Sequence, residues 1–499
     1  MLKMVDGTGI IGVDMVCHLG GAVSPPQPPN YDRVEMEGAG RLMLPNSLKA
    51  PLERVELTGN SVQGENPAPE NPQEIKSAGR KSKNLLIENI SVFTVQDNIA
   101  YIPLPEGHET KLYTMLIQKK PGENDDVGFT CGFYDKSNMT ATYSAPCLQA
   151  GNLVTGNGIV NSKIGVNHFV CFSPADSRFF DIYNVMYAEG KETTLDYEPY
   201  GYLFDVKVTG KNLFDQSKLI SGFINMTTGA FEESANTSFA NSLILDKPIL
   251  LKSGQTLVTS VADRFAQNFL RYRTYRKDGT FLINNEPISF SYKATEDLYV
   301  IALFYNGMSE EEKKSLQIEI SDKSTSYEPY TEQTLTLTSD RPITKWDKLV
   351  EQGGEYGWLY QSEVKEYRGE NSVSLYDSGF YFLLNNKNIT KGEGYCSELK
   401  QHVPYEKNPC ISFNIASNTY AYTLNTQEIY GSSVSEIKEY LKIRPLHLVY
   451  KTEATEFVPL SESEQTQLRN LHSYNGTTHI TVDSGEVPCG IKLTYRKEK

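Results

Sequence analysis

The chain is predicted to be a mainly β protein, built of tandem β-sandwich modules of jelly-roll type with a few short helices and an extended N-terminal head. Three observations predict this. Tyr-Glu-Pro-Tyr occurs at 197–200 and again at 327–330, an offset of 327 − 197 = 130 residues. The starts of the same two stretches also match: Lys83-Asn84-Leu85-Leu86 and Lys211-Asn212-Leu213-Phe214 are 211 − 83 = 128 residues apart, and Phe457-Val458-Pro459-Leu460 forms a third echo of the motif. Such a spacing is that of a domain and too long for a solenoid repeat. Finally, short apolar or alternating runs at 111–117, 169–172, 243–251, 299–305 and 316–320 are punctuated by Gly, Asn, Asp, Ser and Pro clusters, the pattern of an all-β sandwich.

Residues 1–45 form the head. It is rich in glycine, then passes into Pro25-Pro26-Gln27-Pro28-Pro29, a semi-rigid extended spacer suited to attachment or oligomerisation. Residues 46–83 begin with an alternating strand at 54–58. They continue as a connector, because Pro67, Pro69 and Pro72 lack N–H donors and fix φ. Residues 84–205 and 206–340 are the first and second sandwich modules; 84–205 and 211–333 are expected to superpose. Each module is followed by a period-2 strip, Phe204-Asp205-Val206-Lys207-Val208 and Leu335-Thr336-Leu337. Ser309 with Glu312 marks a capping box for a short helix in the second module.

Residues 341–499 read as a divergent third module. Strands are predicted at 356–360 and 380–384. A helix over 435–443 is capped by Ser433 with Glu436 and stopped by Pro445. Strand 446–450 leads into 457–460, and a last helix over 462–471 is capped by Ser461 with Glu464. Asn475-Gly476 is a turn signal that introduces 478–482 and 491–495 as a closing hairpin.

Within Tyr-Glu-Pro-Tyr, Pro199 and Pro329 push Glu198 and Glu328 into extended geometry. The flanking Tyr197, Tyr200, Tyr327 and Tyr330 are then expected to pack back on the sandwich edge and set the angle between modules.

The remaining signals narrow the chemistry. A net charge of −14 opposes nucleic-acid binding, which needs cations to displace counterions. No run approaches the ~20 apolar residues of a membrane span, and no basic-then-apolar leader marks a signal peptide. The seven cysteines show no CxxC or zinc-type spacing and read as free thiols of a reducing compartment, Cys131 and Cys147 being the pair whose spacing allows a bridge. Gly7-Thr8-Gly9-Ile10-Ile11-Gly12 matches GxGxxG but lacks the preceding strand and a well-spaced acidic partner, so it reads as a glycine-rich head. The seven histidines are scattered, and no HExxH, G-x-S-x-G or P-loop is present, so no catalytic residue, cofactor site or enzymatic activity is assigned. Asn124-Asp125-Asp126 has oxygen ligands for a structural calcium but lacks the alternate-residue spacing of a loop site; a plain turn fits better.

The 31 tyrosines suit either recognition surfaces or strands. Tyr356, Trp358 and Tyr360 share one face of a strand. Either they stack on sugar rings as carbohydrate contacts or that face is core. Leu359, the one apolar residue on the opposite face, favours core.

The stretches leading into the two motifs carry a family likeness. They run from Asn184-Val185-Met186-Tyr187-Ala188-Glu189-Gly190 to Asp196, and from Leu316-Gln317-Ile318-Glu319-Ile320-Ser321-Asp322 to Ser326. They resemble the final strand and exit of carbohydrate-binding-like jelly rolls in tail proteins of phages that infect Gram-positive bacteria. The first keeps the usual Glu-Gly, which the second replaces with Ile-Ser-Asp. Residues 55–72 resemble the leading segment of phage minor structural proteins, and 434–445, 448–460 and 467–480 resemble their C-terminal region. The resemblance is a patchwork over roughly 50–480. It is specific to tail proteins as a class rather than to one role, and it carries over no sugar-contacting residue.

What the resemblance implies is a tail-tip or tail-fibre protein of the virion that displays its modules toward host cell-wall glycan. Its partners would be other tail proteins and further copies of itself, as a trimer. The rival readings are a purely structural tail or baseplate component and a cell-wall-degrading enzyme.

Overall fold

The computed structural model describes residues 5–6, 9–10, 30–68, 70–87, 93–96, 98–103, 112–120, 122–123, 130–135, 148–149, 158–163, 168–173, 178–190, 196–233, 242–260, 270–282, 291–304, 309–368, 373–376, 379–384, 389–398, 400–401, 410–411, 420–424 and 433–499. Its architecture is mainly β, with several antiparallel sheets and few short helices.

The modules do not follow one another like beads. They hang from a shared hub, a 12-stranded sheet that draws strands from both ends and the middle of the chain. Its order is Glu332–Ser339, Tyr202–Thr209, Gly476–Asp483, Arg41–Ser47, Gly490–Glu498, Glu53–Thr58, Lys348–Gln352, Glu355–Tyr367, Leu446–Pro459 and Ile389–Cys396. Tyr31–Ala39 joins Gly490–Glu498 off this path, and Arg80–Lys81 joins Tyr202–Thr209. Alternation along these strands sends Leu42, Leu44, Val55, Leu57, Phe204, Val206, Ile480, Val482, Ile491 and Leu493 to a single core. The sheet curls enough for distant strands to meet across it: the Phe204 and Trp358 rings lie 4.8 Å apart.

The hub redraws the sequence-based boundaries. Tyr31–Ala39 and Arg41–Ser47 are two of its strands, although the expected extended head ran through residue 45. Much of 341–499, expected to be a third module, also lies in it. The predicted closing hairpin is not formed: Gly476–Asp483 pairs with Arg41–Ser47 and Tyr202–Thr209, whereas Gly490–Glu498 pairs with Tyr31–Ala39 and Glu53–Thr58. The two strips that follow the modules pair with each other, from Tyr202 opposite Ser339 to Thr209 opposite Glu332.

Two excursions leave the hub and return beside their own departure points, and a third, between Tyr367 and Leu446, also gives the hub one of its strands, Ile389–Cys396. The first lies between Ser82 and Gly201, joined backbone to backbone at 2.8 Å. Gly210 and Thr331 close the neck of the second at 3.2 Å. Tyr367 pairs with Leu446 at the third. Adjacent ends let the first two excursions fold as units without disturbing the sheet they interrupt.

The first two excursions share one two-sheet topology. In the first, a three-stranded sheet runs Gly158–Lys163, Leu112–Lys119, Tyr183–Glu189. Its counterpart in the second runs Ser291–Lys293, Thr256–Ser260, Gln317–Ile320. The larger sheets correspond as well: Leu148–Gln149, Thr130–Asp135, His168–Ser173, Ile99–Pro103, Thr94–Gln96 against Phe281–Leu282, Leu270–Arg276, Leu298–Phe304, Leu243–Leu245, Leu219–Ser221. A short helix precedes the last strand in both, Phe179–Ile182 and Glu310–Ser315. The second sandwich closes on a core that includes Phe214, Leu251, Leu257, Val300, Phe304 and Ile318. The run 243–251 splits into Leu243–Leu245 and Ile249–Leu251, with Pro248 at the break.

The three capping boxes form as the sequence predicts, on Glu310–Ser315, Val434–Ile443 and Glu462–Asn470. The last of these helices covers the outer edge of the hub. Its Glu464 carboxylate accepts from the Thr338 N–H at 2.7 Å, which occupies a donor that an edge strand would otherwise expose.

Candidate functional site

The repeated motifs meet in space at the necks of the two sandwiches. Asn84 donates from Nδ2 to the carbonyls of Val185, 3.2 Å, and Glu198, 3.1 Å, while its Oδ1 accepts from the Leu86 N–H at 2.9 Å. Asn212 repeats the pattern: it donates to Leu316 at 3.2 Å and Glu328 at 2.9 Å and accepts from Phe214 at 2.9 Å. Both side chains are 2% exposed. An asparagine is suited to this place because one planar amide both donates and accepts, tying the first strand to the last and to the exit motif.

The two necks differ in how they use the motif's glutamate side chain. Glu198 receives Arg80 Nη1 at 2.8 Å and the Lys83 N–H at 2.9 Å. Glu328 receives Lys211 Nζ at 3.0 Å, and that buried ammonium also donates to the Ser326 carbonyl at 2.7 Å. The four tyrosines of the two motifs do not act alike. Tyr197 packs on Leu116, Met186 and Ala188, and the Tyr330 hydroxyl donates to Glu332. Tyr200 and Tyr327 are 40% and 44% exposed and set no angle by burial. Asparagine, glutamate and the neck cations do the fastening.

Tyr356, Trp358 and Tyr360 are core residues, 5%, 2% and 2% exposed, and cannot receive a sugar ring. Trp358 Nε1 donates to the Thr338 carbonyl at 2.7 Å, and the Tyr360 hydroxyl lies 2.8 Å from Ser339 Oγ and 2.9 Å from Asp340 Oδ1. These bonds fasten Glu355–Tyr367 across the core to Glu332–Ser339. Burial pushes the Tyr360 phenol well above its ordinary value, and Arg341 stacks on its ring at 3.7 Å.

An open cleft of about 400 Å³ lies on the hub at the root of the first sandwich. One wall is the segment Glu74–Lys81; Tyr202, Pro342 and the turn Gly485–Val487 complete it. The Lys76 ammonium bridges to Glu486 across the cleft and lies 3.7 Å from Glu74. Gly79, at φ +124°, brings its backbone against Tyr202; a Cβ there would lie 3.0 Å from the tyrosine Cβ and 3.3 Å from its ring. Nothing in the residue pattern pointed here, because the walls come from four distant segments.

The second sandwich leans on the opposite face of the hub. Arg41 donates to the Leu250 carbonyl, and Met43 packs against the sandwich core. His479, opposite Met43 in the ladder, is 2% exposed, and neither ring nitrogen has a hydrogen-bond partner among the described residues. Burial, then the Arg41 charge, lowers its pKa to about 3.

Other sequence candidates fare variously. Val5–Asp6 pairs antiparallel with Gly9–Ile10, which is incompatible with the strand-to-helix crossover of a dinucleotide site. Cys396 and Cys489 are buried as thiols. The side chains of Cys131 and Cys147, the segment 124–126 and the Pro cluster 25–29 lie outside the described residues. Among the described residues no group of three or more His, Cys, Asp or Glu is placed to hold a metal ion, and no helix is long and apolar enough to cross a membrane.

No protein-family model matches the chain, and no curated protein matches it. A solved structure that matches is the single-particle cryo-EM structure of an arabinofuranosyltransferase from Mycobacteria. It is 9% identical, covers 80% of this chain and 32% of that one, and has a TM-score of 0.10, too low to bear on fold or function.

Proposed function

We propose that this is a non-enzymatic tail-tip or tail-fibre protein of a phage or prophage of Gram-positive bacteria, presenting β-sandwich modules to host cell-surface glycan. The supporting observation is the repeated, latched sandwich. The same two-sheet unit is built twice on one hub and fastened at both ends by the same asparagine-to-glutamate bond. A hub that carries two like units suits weak binding strengthened by repetition. Attachment to neighbouring tail proteins and assembly as a trimer belong to the same proposal and rest on the sequence resemblance, as does the choice of host.

The test is direct. Purified full-length protein should co-sediment with Gram-positive cells or their isolated walls and release no soluble sugar from them. Sugar release would move it to the wall-degrading class. Absence of binding, with the fold intact, would favour a purely structural tail component.

A further inference from the structure

We infer that the cleft at the root of the first sandwich binds a short, uncharged stretch of glycan, an inference that rests on the host-surface reading above. Three features of the cleft lead there. Its volume, about 400 Å³, is that of a small-ligand site and accommodates a few sugar units rather than a protein loop. Tyr202 lines its wall, half-buried: the side chain packs on the hub core and beside Gly79, and part of it stays exposed. An aromatic ring so placed offers an apolar surface to the C–H face of a sugar.

The third feature is charge. Lys76, Arg80 and Lys81 line the cleft, with Glu74 and Glu486 among them. Arg80 is held from behind by Glu198 at 2.8 Å and Asp205 at 2.9 Å. Four carboxylates therefore answer three cations, and no surplus of positive charge remains to attract a phosphate-rich polymer or other polyanion. Paired ammonium and carboxylate groups on a rim suit vicinal hydroxyls instead. Each hydroxyl can donate to a carboxylate and accept from an ammonium without any net charge being brought in. The Lys76–Glu486 bridge spans the cleft between segments 410 residues apart, so its two ends are positioned by separate parts of the hub.

The experiment titrates the full-length protein with a neutral oligosaccharide probe, chitotetraose, with neutral oligosaccharides released from host walls, and with poly(glycerol phosphate). Wall pull-down is measured in parallel. Tyr202→Leu and Glu486→Ala are compared with wild type after melting curves confirm that each is folded; Glu486 lies on an exposed turn, so it serves even if Tyr202→Leu is poorly folded. The expected result is binding of a neutral probe by wild type, weakened about tenfold or more by Glu486→Ala, with poly(glycerol phosphate) binding more weakly. Stronger binding of the polyanion would overturn the charge argument. Wall binding that survives both substitutions unchanged would overturn the cleft and leave the host-surface reading standing. Failure of wild type to bind walls or any probe would overturn both.

Discussion

The Asn212 amide donates to the Glu328 carbonyl at 2.9 Å across 116 residues, and the Asn84 amide makes the same bond to Glu198 at 3.1 Å across 114. The two ends that recur in each repeat are therefore two halves of one fastening. Each sandwich is closed on itself by a buried amide before the chain re-enters the hub.

Breaking that fastening should be costly. Asn212→Ala removes the bonds to Leu316, Glu328, Phe214 and Ile318 from a site 2% exposed. Stranding several buried backbone groups should destabilise the second sandwich by about 3 kcal/mol, with Asn212→Asp little better because a carboxylate cannot donate. Denaturant unfolding followed by hydrogen exchange within 211–333 reads this out, and protection equal to wild type would show that the amide is dispensable.

The exit motif should be tolerant at one tyrosine and sensitive at the glutamate. Tyr327→Ala, at a ring 44% exposed, should change stability by no more than about 0.5 kcal/mol. Glu198→Ala loses Arg80 and the Lys83 N–H together and should cost about 2 kcal/mol. Reversed magnitudes in thermal melts would mean that the neck is held by aromatic packing after all.

Trp358 should behave as core. Trp358→Ala should cost about 3–5 kcal/mol through the cavity left beside Phe204. Trp358→Phe should cost about 1–3 kcal/mol, since the Thr338 carbonyl loses its indole donor. A Trp358→Ala protein with unaltered melting and altered glycan binding would restore this strand face as a ligand surface.

Acid should loosen the hub where it meets the second sandwich. His479 is held neutral, its pKa lowered to about 3 by burial and by Arg41. On the same hub face, its ladder neighbours place Arg41, Lys207 and Glu332 as the charged groups, with Lys207 and Glu332 paired at 2.5 Å. A histidine depressed on folding contributes stability above its unfolded value of ~6.5 and loses it as pH falls from there toward 3, because the unfolded chain binds the proton first. The difference in urea midpoint between wild type and His479→Leu should thus change through that window and be constant above it. A pH-independent difference would show that the ring is not a proton-linked group.

Truncation should separate the true N-terminal head from the hub. Removal of residues 1–29 keeps every strand of the hub and should preserve cooperative unfolding. Removal of 1–45 takes away Tyr31–Ala39 and most of Arg41–Ser47, with Leu42 and Leu44 of the core, and should abolish cooperative unfolding. Circular dichroism on the two truncated proteins distinguishes these outcomes, and only the shorter deletion is usable for asking which end faces a binding partner.

By itself the sequence determined the local elements and their repetition. Period-2 alternation placed the strands around Val55, Phe204 and Trp358, three Ser-x-x-Glu boxes placed three helices, and the offsets of 128 and 130 residues marked two like modules. These signals were legible because each depends on neighbours within a few residues, or on simple recurrence. Only the tertiary structure decided that Tyr31–Ala39, Tyr202–Thr209, Glu332–Ser339 and Gly490–Glu498 belong to one sheet. Strand pairing is chosen by burial of one shared core, and no local pattern encodes which distant strand supplies the partner. The same reason explains the sites. The pattern around Leu359 already favoured core for the face bearing Tyr356, Trp358 and Tyr360, but only the fold shows that Phe204 meets it, and the cleft between Lys76, Tyr202 and Glu486 exists only once four separate segments converge on the hub.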